Sequence, residues 1–329
     1  MKEKPYKKIF TWAGRVLMVA SIVFIVLKVR SDGFDFTLLT SSALIGGLIA
    51  ASLAYGGSIF YASFVFIRLL RILTSATVNR RRAIPIYCSS NLYKYLPGNF
   101  MHFVGRNRIA AETEGISHAE VATATVIDSL FLCFAAAVIS AICVFQYAAE
   151  YLRTRISPTF FLLLIGGLVL SALLAWIFRR KLSKRLRRII SVLKRFRPAA
   201  AVRLFFSCCL RLLVLALTYF AVLLLLGQTI TLDNVPKILG LCTLSWVVGF
   251  VMPGAPGGLG VREAILIAFL GDVLSPEILA SSAIIHRIVC IFGDLFAYGF
   301  SLVYSKYTIK TYSQKLSPKL KELKKYFSK

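Results

Sequence analysis

Six stretches of this 329-residue chain, 10–29, 38–67, 119–147, 159–178, 204–226 and 277–304, run for about twenty residues or more with few charges, enough to cross a hydrocarbon layer as α-helices. The composition leaves little alternative. Apolar residues make up 58% of the chain and charged residues 16%, against about 45–50% and about 25% in globular proteins. That excludes a soluble enzyme, a secreted disulfide scaffold and a disordered tail. Lys2, Lys4, Lys7 and Lys8 precede the first apolar run as in a signal peptide. Residues 9–29, however, are too long for a signal core and lack a small-x-small cleavage site, so they read as the first span. The expected fold is an all-α polytopic membrane protein.

Two further apolar regions are broken. Residues 84–105 contain Pro85, Lys94, Pro97, Gly98, Asn99 and His102, and residues 237–271 contain Pro253, Gly254, Pro256, Gly257, Gly258 and Gly260. Proline removes a backbone donor and glycine permits reversal, so neither region can be one smooth helix. Each is predicted to be a re-entrant hairpin of two half-helices, giving about six full spans plus two hairpins, or eight segments if each hairpin counts once. Irregular backbone at that depth requires a cavity or a protein environment around it.

The formal charge of +26 is unevenly distributed. With a cytoplasmic N-terminus and both hairpins returning to their side of entry, segments 1–9, 68–118, 179–203 and 305–329 carry 31 Lys and Arg. The segments 28–37, 148–158, 227–237 and 261–277 carry 6. That asymmetry predicts a multi-pass protein of the plasma (inner) membrane with both termini cytoplasmic.

The hairpins also resemble each other. Arg106 and Gly115 follow Pro97 by nine and eighteen residues, and Arg262 and Gly271 follow Pro253 at the same intervals. Ser117 and Glu120 open the next span in one half, Ser275 and Glu277 in the other. The expected organisation is a first repeat, 1–150, with a cytoplasmic hairpin at 84–105. A second, inverted repeat, 151–304, has an outer hairpin at 237–271, and 305–329 is a basic cytoplasmic tail. Inverted repeats place binding sites near the midplane, where broken helices meet. Two unrelated kinked helices are the alternative.

Tyr95-Leu-Pro-Gly98, followed by Gly105-Arg106 and Glu114-Gly-Ile-Ser117, resembles the first block of the lysyl-phosphatidylglycerol synthase transmembrane (flippase-like) family. Pro256-Gly-Gly-Leu-Gly-Val-Arg-Glu263 resembles its second and more specific block, and His286-Arg287 falls where that family carries an arginine on its last span. The resemblance covers about residues 10–305 and implies a membrane part that handles lipid. Bifunctional relatives continue into a soluble aminoacyl-transferase domain. Here the chain ends 25 residues after the last span, so the expectation is the membrane half alone. Asp128-Ser129 replaces the family's adjacent Glu-Arg, which puts a charge-pairing role there in doubt.

Ionisable residues inside a membrane usually face a cavity. Arg106, Arg262 and Arg287 are therefore candidate ligands for a lipid headgroup, since a guanidinium fork matches phosphate oxygens. The turns holding Asn99, Gly257 and Gly258 can aim backbone N–H groups at the same anion. Glu263 can neutralise the adjacent Arg262, and Asp128, His286 and Asp294 are candidates for charge or proton coupling. Structural alternatives stand beside each: a cytoplasmic-edge charge at Arg106, a hairpin-locking salt bridge at Arg262–Glu263, a satisfied core histidine at His286. Arg15 and Arg211 lie near helix ends and are expected to snorkel. Gly46-Gly47, Gly56-Gly57 and Gly166-Gly167 read as close helix packing.

No cofactor is expected. The chain has no phosphate-binding G-x-x-x-x-G-K-[ST] loop, and its seven cysteines and three histidines form no metal-ligand spacing. The basic segments 179–197 and 315–329 read as interfacial helices on an anionic leaflet, not as nucleic-acid-binding surfaces.

The leading expectation is a lipid transporter for an anionic phospholipid or polyprenyl-phosphate headgroup. The competing readings are a membrane transferase of lysyl or glycosyl groups onto lipid, the label the family name would attach, and a membrane partner of a separate synthetase or glycosyltransferase. The non-membrane stretches 68–83 and 179–203 are too short and basic to build a catalytic domain, so an enzyme is the weaker expectation.

Overall fold

The computed structural model describes residues 41–74, 78–95, 101–155, 197–251, 258 and 260–327. Among these there are eight α-helices and no strand. In chain order they are α1 (Ser42–Leu73), α2 (Arg80–Leu92), α3 (Met101–Glu114), α4 (His118–Arg155), α5 (Pro198–Leu225), α6 (Asn234–Val251), α7 (Val261–Leu270) and α8 (Pro276–Phe327). A short 3₁₀ turn, Tyr93–Tyr95, follows α2. Five helices contain apolar stretches long enough to cross a membrane: Ser42–Leu73, His118–Val144, Pro198–Leu225, Asn234–Val251 and Pro276–Lys306. The protein is thus an all-α polytopic membrane protein. The expected spans 10–29 and 159–178, Gly166-Gly167 and most of the basic segment 179–197 lie outside the described residues.

Local chemistry sets the helix starts. Asn79 Oδ1 accepts from Arg81 N at 3.0 Å and caps α2. At α4 Ser117 caps the first turn: its Oγ accepts from Glu120 N at 3.3 Å and donates to Glu120 Oε2 at 2.9 Å. Apolar stripes then set the packing. On α5, Phe206, Leu210, Leu213, Leu217 and Leu224 are exposed on the lipid side, while Leu204, Cys208, Leu212, Leu215 and Tyr219 turn inward.

Both broken regions fold as pairs of consecutive, mutually packed helices, α2–α3 and α6–α7. Pro85 lies within α2 and does not end it; α2 runs on to Leu92, and α3 begins at Met101. The second pair is unequal. α6 has 18 residues, about 27 Å of helix and close to a full crossing, whereas α7 has 10. α8 continues without a break to Phe327, so the tail extends the last span and does not form a separate surface helix.

The principal helix contacts have a symmetry of their own. Exchanging α1 with α5, α2 with α6, α3 with α7 and α4 with α8 turns the set of packed pairs into itself. Thus α1–α8 answers to α4–α5, α4–α6 to α2–α8, and α1–α5 to itself. At the α1–α8 crossing the backbones touch: a Cβ on Gly56 would lie 2.5 Å from Gly293 O, and one on Gly293 would lie 2.7 Å from Ser52 O. One apolar cluster gathers around α1, α2 and α4, including Phe66, Ile84 and Ile127, and a second around α5–α7, including Leu241, Leu266 and Leu270. A polar cavity lies where the two halves meet.

Candidate functional site

Every described helix contributes at least one side chain to this cavity of about 90 Å³. Its cations are Lys94, Arg106, Arg211, Arg262 and Arg287. Aromatic side chains close part of the wall: Trp246 stacks on Phe250 at 5.1 Å, and Phe103 meets Phe250 edge-on at 6.2 Å, joining the two hairpins. The space holds several waters, since each needs roughly 10–15 Å³.

Three of the five cations have carboxylate partners. Lys94 Nζ lies 2.6 Å from Asp294 Oδ2, and the same carboxylate accepts from Asn91 Nδ2 at 2.6 Å and from Tyr95 OH at 2.5 Å. Fully buried Asp294 on α8 thus ties down the end of α2 and the turn after it. Arg211 Nη1 donates to Asp128 Oδ1 at 3.2 Å and its Nη2 to Tyr87 OH at 3.1 Å. Arg287 Nη2 donates to Glu263 Oε1 at 3.2 Å, linking α8 to α7.

Arg106 and Arg262 differ. Neither has a carboxylate within ion-pair distance among the described residues. Arg106 is 3% exposed; its Nε donates to Ser90 Oγ at 3.1 Å, and its guanidinium lies 4.1 Å from the Tyr87 ring and 4.7 Å from the Phe66 ring. Arg262 stands 6.0 Å from the Trp246 ring, and its buried Nε has no hydrogen-bond partner among the described residues. Glycine makes room for it. Gly258 adopts φ +78°, and a Cβ there would lie 2.9 Å from both Arg262 Nε and the Gly249 Cα. The three carboxylates offset three of the five cations, leaving an excess of two positive charges on Arg106 and Arg262. A cation largely withdrawn from bulk water and without a counter-ion costs free energy, so this arrangement favours an anion.

Several sequence expectations change here. Glu263 does not pair with Arg262, because adjacent helical residues point about 100° apart; it reaches Arg287 instead. Its second oxygen, Oε2, is buried without a hydrogen-bond partner among the described residues. Asp128 does pair a charge, with Arg211. Arg211 does not snorkel. α5 starts at Pro198, which places Arg211 13 residues, about 20 Å, into the helix, and its side chain is 10% exposed. His286 lies in a small side chamber beside Glu263 and Arg287, its Nε2 3.0 Å from Thr218 Oγ1. Asn99 and Gly257 lie outside the described residues. Lys94, Arg211 and the tyrosine lining are not among the ligands that the sequence suggests. The signal for the two cations is an ionisable residue within an apolar run, the same one that marks Arg106.

A model of the family described as lysylphosphatidylglycerol synthase TM region matches residues 12–296. No curated protein matches the chain at a significant level.

Proposed function

This chain belongs to the lysylphosphatidylglycerol synthase TM-region family, and on that premise we propose that it carries anionic lipid headgroups across the membrane. The observation that supports this reading is the cavity's excess of two positive charges, held by Arg106 and Arg262 at corresponding places on the two hairpins. A phosphodiester or polyprenyl-phosphate headgroup supplies the missing charge, and each guanidinium offers it a two-pronged donor. The lipid's acyl or prenyl chains stay in the bilayer while the headgroup passes through the cavity. The Lys94–Asp294, Arg211–Asp128 and Arg287–Glu263 pairs hold hairpins and spans together, and a bound phosphate competes with these carboxylates for the same cations. Rocking one repeat against the other would then open the cavity to each leaflet in turn. The charge asymmetry of the loops supports cytoplasmic termini in this reading, with the plasma (inner) membrane as its site of action.

The test is leaflet exchange of headgroup-labelled phosphatidylglycerol in proteoliposomes, read by a membrane-impermeant quencher. The wild-type protein is expected to speed exchange at least tenfold over empty vesicles and over the Arg262→Ala variant. Equal rates in all three would sink the reading.

A further inference from the structure

Outside the central cavity, the basic end of the α1–α5 pair carries a second concentration of charge. A groove of about 300 Å³ opens between the last turns of α1 and the first turns of α5. Its floor is apolar, with Leu69 and Leu204 buried at 2% and 5% exposure and Val65 and Ile72 beside them. Its rim is cationic, formed by exposed Arg68, Arg71 and Arg203. Arg71 commits Nη2 to Val78 O at 2.8 Å, steadying the backbone that follows α1. Arg68 and Arg203 have no carboxylate within ion-pair distance among the described residues.

The two arginines also share a level. Arg68 precedes the end of α1, Leu73, by five residues, and Arg203 follows the start of α5, Pro198, by five. Each therefore sits about 8 Å inside its helix end. Tyr61 OH and Ser207 Oγ, 3.0 Å apart, join the two helices close to the groove.

Charge complementarity and the apolar floor together select the occupant. A free anion satisfies the arginines but leaves Leu69, Ile72 and Leu204 uncovered. A zwitterionic lipid covers the floor but brings its own cation to the rim. An anionic glycerophospholipid does both, setting its phosphate on the arginines and its first acyl segments on the floor. We propose that this groove holds a resident anionic glycerophospholipid of the adjoining leaflet, its phosphate between Arg68 and Arg203. The site is separate from the transport cavity and does not depend on it.

Native mass spectrometry of the full chain, released from mixed phosphatidylglycerol and phosphatidylcholine nanodiscs, tests this. The wild type is expected to retain one more phosphatidylglycerol adduct than Arg68→Gln/Arg203→Gln, the affinity for that additional lipid falling roughly 30-fold, or about 2 kcal/mol at about 1 kcal/mol per arginine. If the double variant does not fold, Arg68→Gln and Arg203→Gln singly are each expected to weaken the adduct about fivefold. Arg68→Lys/Arg203→Lys, which keeps the charge, retains most of the binding. Arg106→Gln/Arg262→Gln keeps this adduct while losing exchange in proteoliposomes, so failure of this proposal and failure of the transport reading are distinguishable. An unchanged adduct in the glutamine variants, equal retention of phosphatidylcholine, or displacement by inorganic phosphate overturns the proposal.

Discussion

The arginines of this protein differ in what answers their charge. Arg211 is answered by Asp128, and both side chains are nearly buried, at 10% and 5% exposure. Removing one partner from such a pair leaves the other charged and unsolvated. Asp128→Asn is expected to destabilise the protein by about 3–5 kcal/mol, and Asp128→Asn/Arg211→Met by clearly less. Thermal unfolding in detergent checks this, and additive losses would show that the two residues are not coupled. Arg262 depends on backbone instead. At Gly258 the left-handed φ of +78° and the 2.9 Å approach to Arg262 Nε both oppose a side chain. Gly258→Ala is expected to cut phosphatidylglycerol exchange at least tenfold while the protein still purifies as a folded monodisperse species. Arg106, Arg262 and Arg287 were legible in the sequence because polar residues are rare in apolar runs and the hairpin spacing repeats. Their partners were not, since Glu263 reaches Arg287 across 24 residues of chain and Lys94 reaches Asp294 across two hundred.

Among helices, small residues decide which pairs come close. Lipid tails are as apolar as leucine, so membrane helices associate through packing and not through exclusion from water. Gly56 and Gly293 bring the α1 and α8 backbones into contact, whereas a Cβ on neighbouring Gly57 meets nothing within 4 Å among the described residues. Gly56→Ala is therefore expected to cost about 1–3 kcal/mol by overpacking, and Gly57→Ala to stay within about 0.5 kcal/mol of wild type. Matched thermal melts of the two variants decide it. The glycine pairs announced close packing in the sequence. Only the crossing geometry separates the working glycine from its neighbour in the two described pairs: Gly47 faces Leu225, and Gly46 meets nothing within 4 Å among the described residues.

The molecule as a whole is organised by the exchange of α1–α4 with α5–α8 and by the cavity between them. If alternating access operates, the hairpins have to separate where Phe103 meets Phe250. Cysteines placed at these two positions, in a background freed of the seven native cysteines, are expected to stop lipid exchange when bridged by a short bifunctional thiol reagent and to restore it on cleavage of the linker. Exchange that continues through a complete cross-link would rule out separation at this contact. Orientation is tested at the same scale. A reporter active only in the cytoplasm, fused after Lys329, is expected to be active, and a silent fusion would reverse the assignment.

Hydropathy and charge along the chain determined an all-helical membrane protein, the two apolar regions broken by proline and glycine and the arginines worth watching. These are local properties: twenty apolar residues demand a helix in lipid, and proline with glycine breaks it, whatever surrounds them. The pairing of charges belongs to the tertiary structure. Which cations remain unanswered depends on which carboxylates the packing brings within about 3 Å, and that distance is set by helix crossings between distant segments. Asp128, Glu263 and Asp294 each found a cation, and Arg106 and Arg262 found no carboxylate among the described residues. The anionic preference of the cavity rests on that difference of two charges.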